Sequence, residues 1–128
     1  MSENFNTEII SPERVLLTDK TDAVTIPSFE GEMTILANHT SLITFLRPGI
    51  IEINGTKKIK YFLEEGTVEF SNNNLVILSS TIVEVNNLSK EKINKIIEES
   101  RNQLKQDNLD DKKRYVLSHK VDCLSRIN

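Results

Sequence analysis

The chain predicts an α+β fold, an N-terminal antiparallel β-sandwich of about ten short strands followed by a C-terminal antiparallel α-helical hairpin. Two observations predict the sandwich: short β-prone runs follow one another from Phe5 to Val85, and turn residues separate them. A third predicts the hairpin, a change of hydrophobic period at Leu88 and Ser89 from that of a strand to that of a helix. The junction Val85-Asn86-Asn87 is short and polar, so the chain divides into a sandwich domain, residues 1–87, and a two-helix domain, residues 88–128.

The β-prone runs are 5–10, 14–18, 23–26, 32–36, 42–46, 50–53, 58–63, 67–70, 75–78 and 82–85. Each break has a physical cause. Ser11-Pro12 starts a turn, and Pro48-Gly49 pairs a fixed φ with a residue that tolerates positive φ. Asn54-Gly55 predicts a type I′ hairpin because both residues accept the left-handed geometry, and Asn72-Asn73-Asn74 predicts another hairpin. Val68-Glu69-Phe70 and Ile59-Lys60-Tyr61 alternate, leaving one face for a core. Val76-Ile77-Leu78 and Ile50-Ile51 predict burial on both sides.

Ser89 predicts an N-cap, and Leu88 with Ile93 has the spacing of a hydrophobic staple. The first helix then runs to about Gln106, with Ile93, Ile96, Ile97, Ser100 and Leu104 as one narrow stripe. Asp107-Asn108 breaks the pattern. A second helix follows from about Asp110, with Tyr115, Leu117, Val121 and Leu124 as its packing residues. So few apolar side chains do not offset the entropy of ordering both helices, so the hairpin needs docking, on its own sandwich or on a neighbour.

Composition narrows the function. A chain of 128 residues holds one domain, or a small domain with an appendage, and no apolar run approaches the roughly 18 to 20 residues that cross a bilayer. Membrane association is therefore expected only through a partner, and the first residues, Met-Ser-Glu-Asn-Phe-Asn-Thr-Glu, predict a bacterial cytoplasmic location. The net charge of −3 hides an asymmetry, −6 over residues 1–87 and +3 over 88–128. An acidic front half argues against nucleic-acid binding, and the diluted basic excess suits a protein surface of opposite sign. Cys123 is the single cysteine and reads as a reduced thiol without metal-ligand spacing.

Catalytic signals are sparse. There is no Gly-x-Ser-x-Gly elbow and no phosphate loop, and four glycines leave few places where backbone could approach a pyrophosphate. His39, flanked by Asn38 and Thr40, has no nucleophile in a recognisable motif and reads better as a turn histidine at an interface. His119 and Cys123 stand one helical turn apart, which is the weakest form of a Cys–His pair and reads as a helix-surface coincidence. Glu64-Glu65 reads as a solvated loop.

One run carries more. Glu30-Gly31-Glu32, then Ile35-Leu36, His39, Leu42 and Arg47-Pro48-Gly49 follow in an order and spacing that resemble the epsilon subunits of bacterial F-type ATP synthases. Their pattern is an acidic turn with Gly-Glu, a short strand, Pro-Gly-His, a strand, and Lys/Arg-Pro-Gly leading into another. The resemblance covers most of the chain and is best from Phe5 to Val85. Two turns depart from it: Ala37-Asn38 replaces Pro-Gly, and Glu65-Gly66 stands for Gly-Gly. A generic β-sandwich adaptor with a helical tail would explain the alternation and the hairpin, but not this ordered match.

The resemblance implies a non-catalytic rotor subunit of a proton-translocating enzyme, on the cytoplasmic face of the bacterial inner membrane, clamping the gamma subunit to the c-ring. It implies a c-ring contact region at Glu30, Gly31, Glu32, Asn38 and His39, and a gamma side at Leu42, Thr44 and the neighbouring strand. It implies a hairpin able to extend and inhibit ATP hydrolysis, where Lys112, Lys113, Arg114, Lys120 and Arg126 would meet the catalytic beta subunit, with alpha beside it. Some members bind ATP at Ile/Leu-Asp-x-x-Arg-Ala. Here Leu88-Ser89-Lys90-Glu91-Lys92-Ile93 lacks both the Asp and the Arg, so weak or no ATP binding and no cofactor are expected.

Overall fold

The computed structural model describes residues 3–127. Its strands are β1 (Phe5–Ile10), β2 (Val15–Thr21), β3 (Ala23–Ser28), β4 (Gly31–Leu36), β5 (Leu42–Leu46), β6 (Gly49–Asn54), β7 (Lys58–Leu63), β8 (Gly66–Ser71), β9 (Asn74–Leu78) and β10 (Val83–Glu84). One hydrogen-bonded sheet, in the order β10-β7-β6-β3-β5-β8-β9-β1-β2 with β4 also on β3, turns back on itself. The link is the single pairing of Ser28 with Leu46. It divides a layer of β4, β3, β6, β7 and β10 from one of β5, β8, β9, β1 and β2. The pairings are antiparallel except β1 with β9, which run parallel.

The core lies between the layers. Ile9, Val24, Ile26, Ile35, Ile53, Val68, Phe70 and Ile77 are fully buried there, and Phe5 meets Phe70 edge-on at 5.5 Å. Two buried hydroxyls satisfy one another at its edge, Thr7 and Thr21 at 2.7 Å.

Three local expectations are corrected. The type I′ turn lies at Asn72-Asn73, with φ of 51° and 58°, and not at Asn54-Gly55, where neither residue has positive φ. Instead Gly55 is demanded by contact: a β-carbon there would stand 2.3 Å from Asp19 Oδ2. The same Asp19 carboxylate accepts the Thr56 amide at 2.9 Å and the Thr56 hydroxyl at 2.8 Å, so β1–β2 chemistry closes the β6–β7 loop. Gly49 likewise has no positive φ and owes its place to Pro27, 2.5 Å from where its β-carbon would be. Nor is 76–78 buried on both faces: only Ile77 points inward, and Leu78 is 46% exposed.

After β10 a short 3-10 turn, Val85–Asn87, leads into helices α1 (Lys90–Leu104) and α2 (Asp111–Ile127). Ser89 caps α1 as expected, its Oγ accepting the Lys92 amide at 3.1 Å. The α1 stripe and Leu124 of α2 close over Phe62, with Ile50, Leu88, Val121 and Ile127 around them. The hairpin is therefore docked on its own sandwich, on the outer face of β6 and β7, and Phe62 is the side chain that this face sends out to meet it.

Candidate functional site

The register draws a row of side chains across the outer face of the second layer. Phe45 stands beside Thr67, Thr67 beside Leu78, Leu78 beside Ile10, and Ile10 beside Val15. Large apolar groups are left in solvent along it: Phe45 is 65% exposed, Val15 52%, and Ile43, two residues before Phe45, 74%. A contiguous patch of this kind is unusual on a solitary chain and marks a surface that meets something. Next to it opens a groove of about 1120 Å³, whose lining includes Ile43, Phe45, Leu78, Phe29 and, from α2, Lys112 and Val116.

Leu42 and Thr44 belong to the other side of β5. Leu42 packs against the core and Thr44 is half-buried at the groove's edge. The residues that β5 presents outward are Ile43 and Phe45, one position along. Five consecutive strand-forming residues, Leu42-Ile43-Thr44-Phe45-Leu46, show no alternation, so the register could not be read from them.

The expected c-ring contact residues fall into two groups at opposite ends of β4. Glu30 and Gly31 form the turn from β3, where Ser28 Oγ donates to the Gly31 carbonyl at 2.6 Å and Gly31 has φ 129°. Asn38 and His39 form the turn beyond Leu36. Asn38, at φ 67°, takes the left-handed position that glycine fills in the family pattern. Its side chain donates to the Glu3 carboxylate, and its amide donates to Asn73 Oδ1 at 2.7 Å. The His39 ring meets Phe70 edge-on, and Nδ1 donates to the Thr40 carbonyl at 2.7 Å. Between the two turns the exposed side chains of β4 are Glu32, Thr34 and Leu36.

The β3–β4 turn also holds α2, a contact that sequence reading missed. Tyr115 Oη donates to the Phe29 carbonyl at 3.1 Å, and its ring stacks on that of Phe29 with centroids 5.8 Å apart. Lys112 Nζ stands 6.0 Å from the Phe29 ring centre, and His119 packs against Tyr115 at 4.4 Å. One turn further on, Lys120 Nζ meets Glu64 at 2.5 Å, so Glu64 is not merely part of a solvated loop. Spacing along α2 could have flagged this stripe, because 112, 115 and 119 share a helix face, but its partner strand was not legible.

The five basic candidates of the hairpin differ in what they do here. Lys112 and Lys120 are turned to the sandwich, Arg126 pairs with Asp122 at 2.9 Å, and Arg114 donates to the Leu104 carbonyl at 3.4 Å. Lys113 is exposed, and its backbone amide donates to Asp110 Oδ1 at 2.7 Å.

A thiolate mechanism does not suit Cys123. Burial pushes its thiol up to about 11, against the smaller opposing pull of Arg47, so the nucleophilic form is scarce near neutral pH. Burial also lowers the His119 pKa, and Arg47 lowers it further. Among the described residues no cluster of three or more His, Cys, Asp or Glu side chains could hold a metal.

Comparison with known proteins decides the family. Residues 4–85 match the sequence profile of the ATP synthase, Delta/Epsilon chain, beta-sandwich domain. The chain belongs to that family. Over its whole length it is 40% identical to the ATP synthase epsilon chain of Pelagibacter ubique, covering all of both chains. It is 36% identical to that of Rhizobium johnstonii over 81% of this chain and 78% of the relative. Among solved structures, a chain of the Euglena gracilis mitochondrial ATP synthase OSCP/F1/c-ring assembly superposes with a TM-score of 0.79 at 24% identity, over 96% of this chain and 80% of that one. A chain of the Tetrahymena thermophila mitochondrial ATP synthase central stalk and c-ring gives 0.66 at 14% identity, over 98% and 96%. At those identities the two structures speak for the fold. As an epsilon chain this protein is a non-catalytic central-stalk subunit of a membrane-associated ATP synthase.

Proposed function

We propose that this epsilon chain couples the rotor by two surfaces of the sandwich, residues 1–87, while the hairpin, residues 88–128, regulates. The gamma subunit binds the apolar row and groove through Ile43, Phe45 and Leu78, with Thr44 at the edge and Leu42 behind as support. The observation that carries this reading is the row itself, Phe45 to Val15 across five strands, with three of its large apolar side chains about half exposed or more. The c-ring meets the outer side of β4, from Glu30, Gly31 and Glu32 to Asn38 and His39, where carboxylates suit basic ring loops. Torque from proton flow then passes through a rigid body on the cytoplasmic face of the bacterial inner membrane.

Inhibition of ATP hydrolysis by Lys112, Lys113, Arg114, Lys120 and Arg126 against the beta and alpha subunits requires the hairpin to leave its sandwich, since Lys112 and Lys120 are engaged there. The test is co-elution of the full chain with its matching gamma subunit. One-to-one binding that is lost in Phe45→Asp and Ile43→Asp, with both variants folded by circular dichroism, is the expected result. Binding unchanged in both variants would sink the assignment of this face.

A further inference from the structure

The groove beside the apolar row has two walls of different origin. One is sheet: Ile43, Phe45 and Leu78. The other is helix: Lys112 and Val116, one turn apart near the start of α2. Between them lies Phe29, which is 36% exposed although Tyr115 covers one side of its ring. If the hairpin left, the groove would lose its helical wall, Phe29 would be bared on the side that Tyr115 covers, and Glu64 would lose Lys120. The rim would then carry Glu30, Glu64 and Glu65 without Lys112 and Lys120 opposite them.

We infer that the docked hairpin is part of the gamma-binding surface, so that gamma binding and hairpin docking strengthen each other. This rests on the reading that gamma occupies the groove and adds the sign of its regulation. A partner seated on Ile43 and Phe45 and filling the groove touches Val116 and the stem of Lys112, contacts that exist only in the docked form. Because a ligand shifts an equilibrium by its differential affinity for the two states, those contacts hold the hairpin down. By linkage, a released hairpin weakens gamma binding by the same factor. Gamma thus restrains the very element whose release exposes the basic face of α2, and release becomes easiest when the stalk contact is loosened.

The test uses the full chain and its gamma subunit. Leu124 is buried under the hairpin and does not line the groove, so Leu124→Asp releases the helices and leaves the sheet wall untouched. Gamma affinity is expected to fall about fivefold or more in this variant, the lower end of ordinary coupling between sites. In the wild-type chain, amide exchange in α1 and α2 is expected to slow when gamma binds. Equal affinity of the two chains, or helices whose exchange is unchanged or faster in the complex, overturns the inference and leaves gamma docking on the sheet intact. Failure of the wild-type chain to bind gamma at all overturns both.

Discussion

Asn38 and Asn73 bind each other twice: Asn73 Oδ1 accepts the Asn38 amide at 2.7 Å, and Asn73 Nδ2 donates to Asn38 Oδ1 at 3.0 Å. Both residues sit at positive φ, one in the β4–β5 turn and one in the type I′ turn between β8 and β9. Two turns 35 residues apart are thereby fixed to one another, and His39 is held at the mouth of the core against Phe70.

Asn73→Ala should remove both bonds and leave the Asn38 amide dependent on water, at a cost of about 1–2 kcal/mol. Urea denaturation of the two single variants and the Asn38→Ala/Asn73→Ala double variant checks it. Additive losses would show that the pair is not coupled.

The Asp19 carboxylate closes the β6–β7 loop, and the Thr56 amide and hydroxyl hold its pKa below the usual value. Gly55→Ala should therefore destabilise the sandwich by about 1–3 kcal/mol, although the backbone there has no positive φ, because the new methyl meets Asp19. Thermal denaturation measures it. In Asp19→Ala the same Gly55→Ala change should be nearly silent, and an equal penalty in both backgrounds would refute the steric reading.

These two loops mark where the sequence was legible and where it was not. Local chemistry was readable: ten β-prone runs met ten strands, Ser89 met its cap, and the Asn72-Asn73 hairpin formed. What a side chain far away decides was not readable. Gly55 and Gly49 suggest flexible turns in sequence, yet Asp19 and Pro27 are what exclude a side chain there. Of the site, the family motif located both turns of β4 but said nothing of their separation. The docking row depends on a register that β5 does not display in its own residues, and the β1–β9 pairing that completes it is parallel and joins segments 68 positions apart. Phe29, adjacent to the acidic turn, is an unremarked aromatic in sequence and becomes the meeting point of sheet, groove and helix only in the fold.

Ser89→Ala should loosen the hairpin by about 1 kcal/mol, because the Lys92 amide loses its acceptor. Exchange of α1 amides should accelerate roughly fivefold while that of β8 and β9 stays unchanged. A uniform acceleration through both would mean that hairpin and sandwich open only together.

Docking of the hairpin should also weaken with acid. The His119 pKa is lowered in the docked chain by burial and by Arg47, with Asp122 opposing. A released His119 regains its ordinary value of 6.5, so the released form binds more protons as pH falls. The contribution is present above 6.5 and is lost as pH falls through the docked value. The expected outcome is faster α2 exchange, corrected for its intrinsic pH dependence, between pH 7.5 and about 5.5. In His119→Gln the corrected rates should be flat over that range, and a persisting slope would assign the effect to other groups.

Cys123 supplies an independent reporter of the same equilibrium. Its thiol stands near 11 in the docked hairpin against an ordinary 9.0, chiefly through burial. At pH 8 the docked chain therefore holds roughly a hundredfold less thiolate than a released one, and since the thiolate is the form that reacts, alkylation should slow by about that factor. Iodoacetamide labelling of the native chain, of Leu124→Asp and of the urea-unfolded chain separates the cases. Slow labelling in the first and fast labelling in the other two is the expected pattern. If Leu124→Asp labels as slowly as the native chain while its helices exchange freely, protection of Cys123 has a source other than docking.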